Sequence, residues 1–309
     1  MSRAQRLHYS VQAVILLGLA LFLAHLVRKD TLHYYLAPHM EKWIPWCPIA
    51  LGFMSIYAVY RVIAPQISSL CDCEHQVPSS FFRKIALYGI LVFPITLGTL
   101  LPHRSLGSTS ASTKGFSLTV LNPSNTTNSA LTTPISQNKN SNNKPLKNEI
   151  KIFQAPDEYN QEFASLANLL YAQPQINVTP QIFSETIGAI ELFKHDFIGK
   201  PISLTGFVFK DEEIGQSENE FAVGRFLVLC CTADARPFGV LIKPPAGANI
   251  QLEEDTWINV TGTIDVELAN QQEVISIHGQ QIKLVQEPRE PYVYTNADAV
   301  AAFKELNAN

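Results

Sequence analysis

The first hundred residues consist of long apolar stretches separated by short polar ones. Three stretches of about 17–19 residues are almost free of charge, at residues 11–27, 46–63 and 85–101. A membrane core of roughly 30 Å is crossed by about 20 apolar helical residues, so each stretch is close to the shortest length that can span it. The pattern predicts an N-terminal anchor of three transmembrane helices within residues 1–104.

The first apolar stretch has an alternative interpretation as a cleaved signal peptide. Arg3 and Arg6 precede it, as in the basic start of such a peptide. The stretch ends, however, in the sequence HLVRK at residues 25–29, which lacks the small residues of a cleavage site. This ending favours a helix that is retained.

Residues 105–150 are rich in Ser, Thr, Asn and Pro and show no apolar periodicity. A segment of this composition buries too little surface to offset the entropy lost on ordering. We therefore predict a disordered linker over 105–150, followed by a soluble domain over 151–309.

Two helices are predicted at the start of this domain. Asp157 suits the N-terminus of the first, and Thr179 with Pro180 suits the start of the second. The first helix is indicated by apolar positions at helical spacing: Phe163, Leu166, Ala167 and Leu170.

Strand-like sequence follows these two helices. Gly206 and Gly262 could allow strands to bend at the corners of a barrel. We predict a membrane-anchored α+β protein whose domain is an OB-like five-stranded barrel, with a two-sheet sandwich as the alternative. The predicted strands are runs of β-branched and aromatic residues at 202–209, 221–231, 238–243, 256–266 and 273–285.

The charge content supports a membrane protein and argues against binding of nucleic acid. Charged residues make up 16% of the chain, against roughly 25% in ordinary globular proteins. The net charge is −4, and acidic residues outnumber basic ones in the strand region, whereas nucleic-acid-binding domains carry basic surfaces. The chain also lacks the sequence motifs of common hydrolases and nucleotide-binding enzymes, so no enzymatic activity is predicted.

Cys71, Cys73 and His75 lie between the second and third apolar stretches. Two thiolates and an imidazole are ligands that Zn²⁺ or Cu⁺ accepts. One residue between the cysteines is fewer than in the usual zinc knuckle, which favours a transient or shared site over a closed structural one. The alternative is an incidental polar loop.

Cys230 and Cys231 are adjacent, and Asp234 follows them. On a strand, neighbouring side chains point to opposite faces, so one thiol should enter the core and the other face outward. The pair could act as small packing residues, or the outward thiol could join Asp234, with His195 or His278, in a metal or redox site. A carboxylate beside a thiolate is favourable when a cation lies between them. This favours a metal site over a redox site.

The segment RFLVLCCTAD at 225–234 stands among other recognisable segments, namely GFVF at 206–209, DTWINVTGT at 255–263 and PYVY at 291–294. Together with the apolar N-terminal third, they resemble the YcgQ-like bacterial membrane proteins. On this resemblance Arg225, Cys230, Cys231 and Asp234 are motif residues.

The resemblance implies a subunit of a membrane complex whose partner is a permease of the YraQ type, with a link to metal handling. It also implies an inner-membrane location with the N-terminus in the cytoplasm and the C-terminal domain outside it, since basic residues alone do not decide the orientation. Zinc is the cofactor considered, and membrane lipid and the permease are the expected partners. A membrane-tethered metal sensor or chaperone and a thiol redox protein are the alternatives.

Overall fold

A computed structural model of the 309-residue chain describes residues 3–63, 81–119, 152–211, 219–245, 252–269 and 271–308. The chain forms two compact units. The first consists of Met1–Ser105 with Cys230–Thr232, and the second of Leu106–Leu229 with Ala233–Asn309.

The first unit is helical. Its α-helices are α1 (Arg3–Lys29), α2 (Pro38–Glu41), α3 (Cys47–Ile63) and α4 (Phe81–Leu100). Helices α1 and α3 run antiparallel and pack through small buried residues, which let two backbones approach closely. Where they touch, the Ser55 hydroxyl donates to the Ala13 carbonyl at 2.9 Å.

Among the described residues of this unit, two segments are long and apolar enough to cross a membrane: residues 6–29 and 38–63. They agree with the first two predicted spans. In α4 the apolar part that qualifies, Tyr88–Leu100, is shorter than a full span. Large apolar side chains such as Phe53, Ile56 and Phe93 are exposed on the outer faces of these helices, as expected for surfaces that face lipid or partner helices.

The second unit contains α5 (Ser108–Lys114), α6 (Gln161–Ala172), α7 (Phe183–Leu192), α8 (Lys194–Phe197) and α9 (Ala299–Leu306). The two predicted helices correspond to α6 and α7. The Asp157 carboxylate accepts the Asn160 backbone N–H at 3.0 Å, as its predicted N-terminal position requires.

A mixed six-stranded sheet completes this unit, in the order β1-β2-β3-β4-β6-β5, and β2 also pairs with β5. The β1–β2 and β4–β6 pairs are parallel and the others are antiparallel. The strands are β1 (Ile176–Asn177), β2 (Pro201–Phe209), β3 (Phe221–Leu227), β4 (Arg236–Lys243), β5 (Trp257–Ala269) and β6 (Gln272–Leu284).

The predicted strand over 221–231 is too long by four residues. It ends at Leu227, because from there the backbone leaves β4: the Val228 N–H donates to the Val293 carbonyl at 2.9 Å. The cysteines therefore follow the strand and lie in a turn. The expectation that alternation on a strand buries one thiol and exposes the other is wrong.

The hydrophobic core of the second unit lies between the sheet and the helices. Helix α7 contributes most to it, since Phe183 through Ile190 are all buried. Gly188 allows α6 to approach closely, because a Cβ atom there would lie 2.9 Å from the Phe163 ring. A short helix that is buried on all sides is thereby packed at the centre of the unit.

Residues 106–119 also belong to the second unit. Ser117 pairs with Phe238 of β4: its N–H donates to Pro237 and its carbonyl accepts from Gly239. The Phe116 ring stacks on Phe209 with centroids 4.6 Å apart. The predicted boundaries at 104 and 150 remain a prediction, and residues 120–151 lie outside the described residues.

Candidate thiol site

The turn after β3 brings two thiols and a carboxylate close together. The Sγ atoms of Cys230 and Cys231 are 3.7 Å apart, and one carboxylate oxygen of Asp234 lies within 4.8 Å of both. Asp234 is oriented by the Leu229 backbone N–H, which donates to its Oδ1 at 2.9 Å. Cys230 is exposed and Cys231 is half-buried, so packing in the core does not account for the pair.

The backbone of the two cysteines is fixed by residues 35–37 within the first unit. Cys231 forms a β-bridge with Leu36. The Ala37 N–H donates to the Cys230 carbonyl at 3.0 Å, and the Thr232 N–H donates to the Tyr35 carbonyl at 2.9 Å. Hydrogen bonds on both sides of Cys231 hold the thiols in place without using their side chains.

The distance between the thiols matches a metal site better than a disulfide. A disulfide requires sulfurs about 2.05 Å apart, much closer than the 3.7 Å between these two. Two thiolates on a tetrahedral Zn²⁺, with Zn–S bonds of about 2.3 Å, would be separated by about 3.8 Å. Cys230, Cys231 and Asp234 could therefore provide three ligands of one metal ion and leave a fourth position for water or another donor.

Arg225 does not take part in this site. It is 2% exposed, its Nε donates to the Thr205 carbonyl at 2.8 Å, and its Nη1 donates to the Glu290 carbonyl at 3.2 Å. The guanidinium also lies over the rings of Trp257 and Phe183, at 5.2 and 5.8 Å from their centroids. Burial lowers the pKa of Arg225 to about 10, so the side chain is still a cation at neutral pH.

A guanidinium buried among carbonyl oxygens and aromatic rings holds separate strands and loops together. Its place in the sequence motif is explained by this structural role.

The two histidines considered as further ligands lie elsewhere. His195 pairs with Glu273 at 3.0 Å, and His278 pairs with Asp265 at 2.8 Å, so neither joins the cysteines. Cys71, Cys73 and His75 lie outside the described residues.

Sequence reasoning missed a second cluster, formed by Asp265, Glu267 and His278 on β5 and β6. The sequence does contain a signal for this cluster: two acidic residues lie two positions apart on one predicted strand, and a histidine lies on the next. Hydrogen bonds from the Val266 backbone and from His278 lower the pKa of Asp265. Lys243 bridges Glu267 and Glu220, so an ammonium group already supplies the positive charge and the cluster forms an ion-pair network.

Helices long and apolar enough to cross a membrane, together with a separate mixed-sheet domain, define a membrane protein with a β-rich domain. The chain belongs to the DUF1980 family. The DUF1980 N-terminal domain matches residues 11–117 of this chain, and the DUF1980 C-terminal domain matches residues 153–295.

Two relatives are similar over most of their length. One is "UPF0703 protein YcgQ" of Bacillus subtilis, 24% identical over 216 residues that cover 69% of this chain and 70% of the relative. The other, from Streptococcus mutans, is named "Putative two-component membrane permease complex subunit". It is 25% identical over 218 residues, which cover 70% of this chain and 74% of the relative. These matches confirm the resemblance to YcgQ-like proteins.

Proposed function

We propose that this protein is the accessory subunit of a two-component permease complex in the bacterial plasma membrane. The observation that carries the proposal is the similarity to the Streptococcus mutans protein named as such a subunit. Helices α1, α3 and α4 contain no acidic residue, and intramembrane carboxylates are typical of ion and proton paths. Their exposed apolar faces suit packing against the helices of a channel-forming partner.

The topology proposed with this function has three spans, with α4 as the third and the N-terminus in the cytoplasm. The C-terminal domain would then lie outside the cytoplasm. We also propose that its sheet is an OB-like barrel. The support is the strand pairing. Strand β2 hydrogen-bonds to β3 on one side and to β5 on the other, so the series of paired strands β2-β3-β4-β6-β5 closes on β2.

The first test is isolation of the complex. The full-length protein, tagged at its C-terminus and purified in mild detergent from its native host, is expected to bring a multi-span permease with it in a fixed ratio. A charged substitution on an exposed apolar helix face, such as Ile56→Asp in α3, should reduce this recovery strongly, while Tyr159→Asp on the exposed surface of the second unit should not. A stable homomeric preparation without any such partner would contradict the proposal.

We further propose that the complex handles a metal ion and that the turn after β3 is where this subunit contacts it. The support is the separation of the two Sγ atoms and the nearby Asp234 carboxylate. With α4 as a span, Cys71 and Cys73 would lie on the opposite side of the membrane from Cys230. The two groups of cysteines would then act separately and could not share one ion.

Metal binding is tested in the full-length protein with Cys71 and Cys73 replaced by Ser. Zn²⁺ is expected to protect two thiols from alkylation. Cys231→Ser or Asp234→Ala should weaken Zn²⁺ binding by tenfold or more, because loss of a ligand should cost at least the roughly 10- to 100-fold that loss of an outer-shell partner costs. Cys47→Ser, which removes a thiol at the start of α3, is the matched control and should leave it unchanged. Equal affinity in all variants would exclude this site.

A further inference from the structure

A groove with a volume of about 460 Å³ runs between α1 and α3 in the first unit. One end is polar and is lined by Tyr9, Gln12, Tyr57 and Arg61. The rest of the wall is apolar and includes Leu16, Phe53 and Met54. The groove is large enough for a small-molecule ligand, since such pockets measure roughly 300–1,000 Å³.

Arg61 provides the only cation among the lining residues. Its guanidinium lies over the Tyr9 ring at 5.6 Å from the centroid, and its Nη1 donates to the Tyr57 hydroxyl at 3.4 Å. In the part of the chain that the structure describes, no carboxylate forms an ion pair with it. The two tyrosines orient the guanidinium but do not neutralise it, so its positive charge is available to an anion.

The polar and apolar parts of the groove follow one another along the helix axes. Tyr9 and Leu16 are seven residues apart on α1, which corresponds to about 10 Å along the helix. On α3, Arg61 and Met54 are separated by the same number of residues in the opposite direction. A molecule in the groove would therefore meet a cation and hydroxyl groups at one end and only apolar surface beyond them.

We propose that this groove binds one anionic phospholipid, with its phosphate at Arg61 and the first part of an acyl chain along Leu16, Phe53 and Met54. A free phosphate ion would satisfy Arg61 but leave the apolar wall uncovered. A partner helix would need an acidic side chain at membrane depth to meet Arg61, which is costly. A lipid supplies both chemistries in one molecule, and the membrane provides it in excess.

The site goes beyond the proposed function and does not depend on the permease. With the N-terminus in the cytoplasm, Tyr9 and Arg61 would lie at the cytoplasmic leaflet, where anionic lipids are enriched and basic pockets between helices bind their head groups.

The test uses the full-length protein alone, delipidated in neutral detergent and analysed by native mass spectrometry. Titration with dioctanoyl phosphatidylglycerol is expected to load one lipid per chain at concentrations where dioctanoyl phosphatidylcholine does not. Arg61→Gln should weaken phosphatidylglycerol binding by roughly tenfold, as expected for loss of a charge-assisted contact. Arg28→Gln is the matched control, because Arg28 is an exposed arginine at the other end of α1.

A second pair of variants tests the acyl part of the site. Leu16→Trp fills the groove and should reduce loading, whereas Leu17→Trp changes the next, non-lining residue of α1 and should not. Equal loading of the two lipids, or no effect of Arg61→Gln and Leu16→Trp, would overturn the proposal. It would also fail if inorganic phosphate displaced the lipid, or if addition of the permease displaced it, since a free anion or a partner helix would then be the occupant.

Discussion

Cleavage of the chain between residues 120 and 151 is expected to leave the fragment that begins near residue 152 attached to the membrane fraction. Residues 106–119 and residues 152–308 belong to the same unit, so the cut falls inside the β-rich unit and not in front of it. The pieces are held together by the pairing of Ser117 with β4, by the Phe116–Phe209 stack and by the contact of Ser108 with Asp255. The Leu106 N–H adds a hydrogen bond to the Tyr292 hydroxyl at 3.0 Å.

The measurement uses a specific protease site inserted within 120–151, followed by sedimentation of washed membranes. In the wild-type background most of the C-terminal fragment should sediment and should appear in the supernatant only after denaturant. Combining Phe116→Ala with Ser117→Pro removes the stacked ring and the N–H that donates to Pro237. The contacts of Leu106 and Ser108 remain, so this variant is expected to release the fragment at a clearly lower denaturant concentration than the wild type. Thr109→Ala, an exposed change in α5, is the matched control. Release from the wild-type protein would instead fit a flexible tether over 105–150.

Gly262→Ala is expected to destabilise the second unit by roughly 2–3 kcal/mol, in the range that overpacking costs. A Cβ atom at Gly262 would lie 2.1 Å from the His278 carbonyl oxygen and 2.8 Å from Ile277. The oxygen is part of the backbone of β6, which pairs with β5 through a register shift at Thr261 and Gly262. Neither strand can move away without breaking hydrogen bonds of the ladder.

Gly279 offers the matched control, because it faces Gly262 across the same pair of strands. A Cβ atom at Gly279 would find its nearest neighbour, the Lys243 carbonyl oxygen, at 3.4 Å, which is an ordinary contact. We expect thermal unfolding of the purified protein, followed by circular dichroism, to show a clearly lower midpoint for Gly262→Ala and a much smaller shift for Gly279→Ala. Equal midpoints for the two variants would show that the close approach at Gly262 is relieved without cost.

Much of the architecture was readable from local sequence patterns. The spans of α1 and α3 depend on the number of consecutive apolar residues, which is a property of the sequence alone. The starts of helices α6 and α7 are indicated in the sequence by Asp157 and by Thr179 followed by Pro180. The five longer strands follow runs of β-branched and aromatic residues, because such side chains fit a pleated surface with a buried face.

Features that depend on partners distant in the sequence were decided by the tertiary structure. Strand β1 has two residues, and it exists because it pairs with β2. Residues 106–119 have the polar composition of a linker but acquire hydrogen-bond partners on β4 and at Asp255, which outweigh their weak local preference.

The site shows the same division between sequence and structure. The sequence alone brings Cys230, Cys231 and Asp234 within five positions of one another, so some proximity of their side chains was assured. Their exposure depends on where β3 ends, and that is decided by the hydrogen bond from Val228 to Val293, a residue 65 positions further along the chain. The burial of Arg225 likewise depends on carbonyl groups of Thr205 and Glu290 and on the ring of Trp257. A buried cation is tolerated only where such groups replace its water, and no local pattern in the sequence records where they converge.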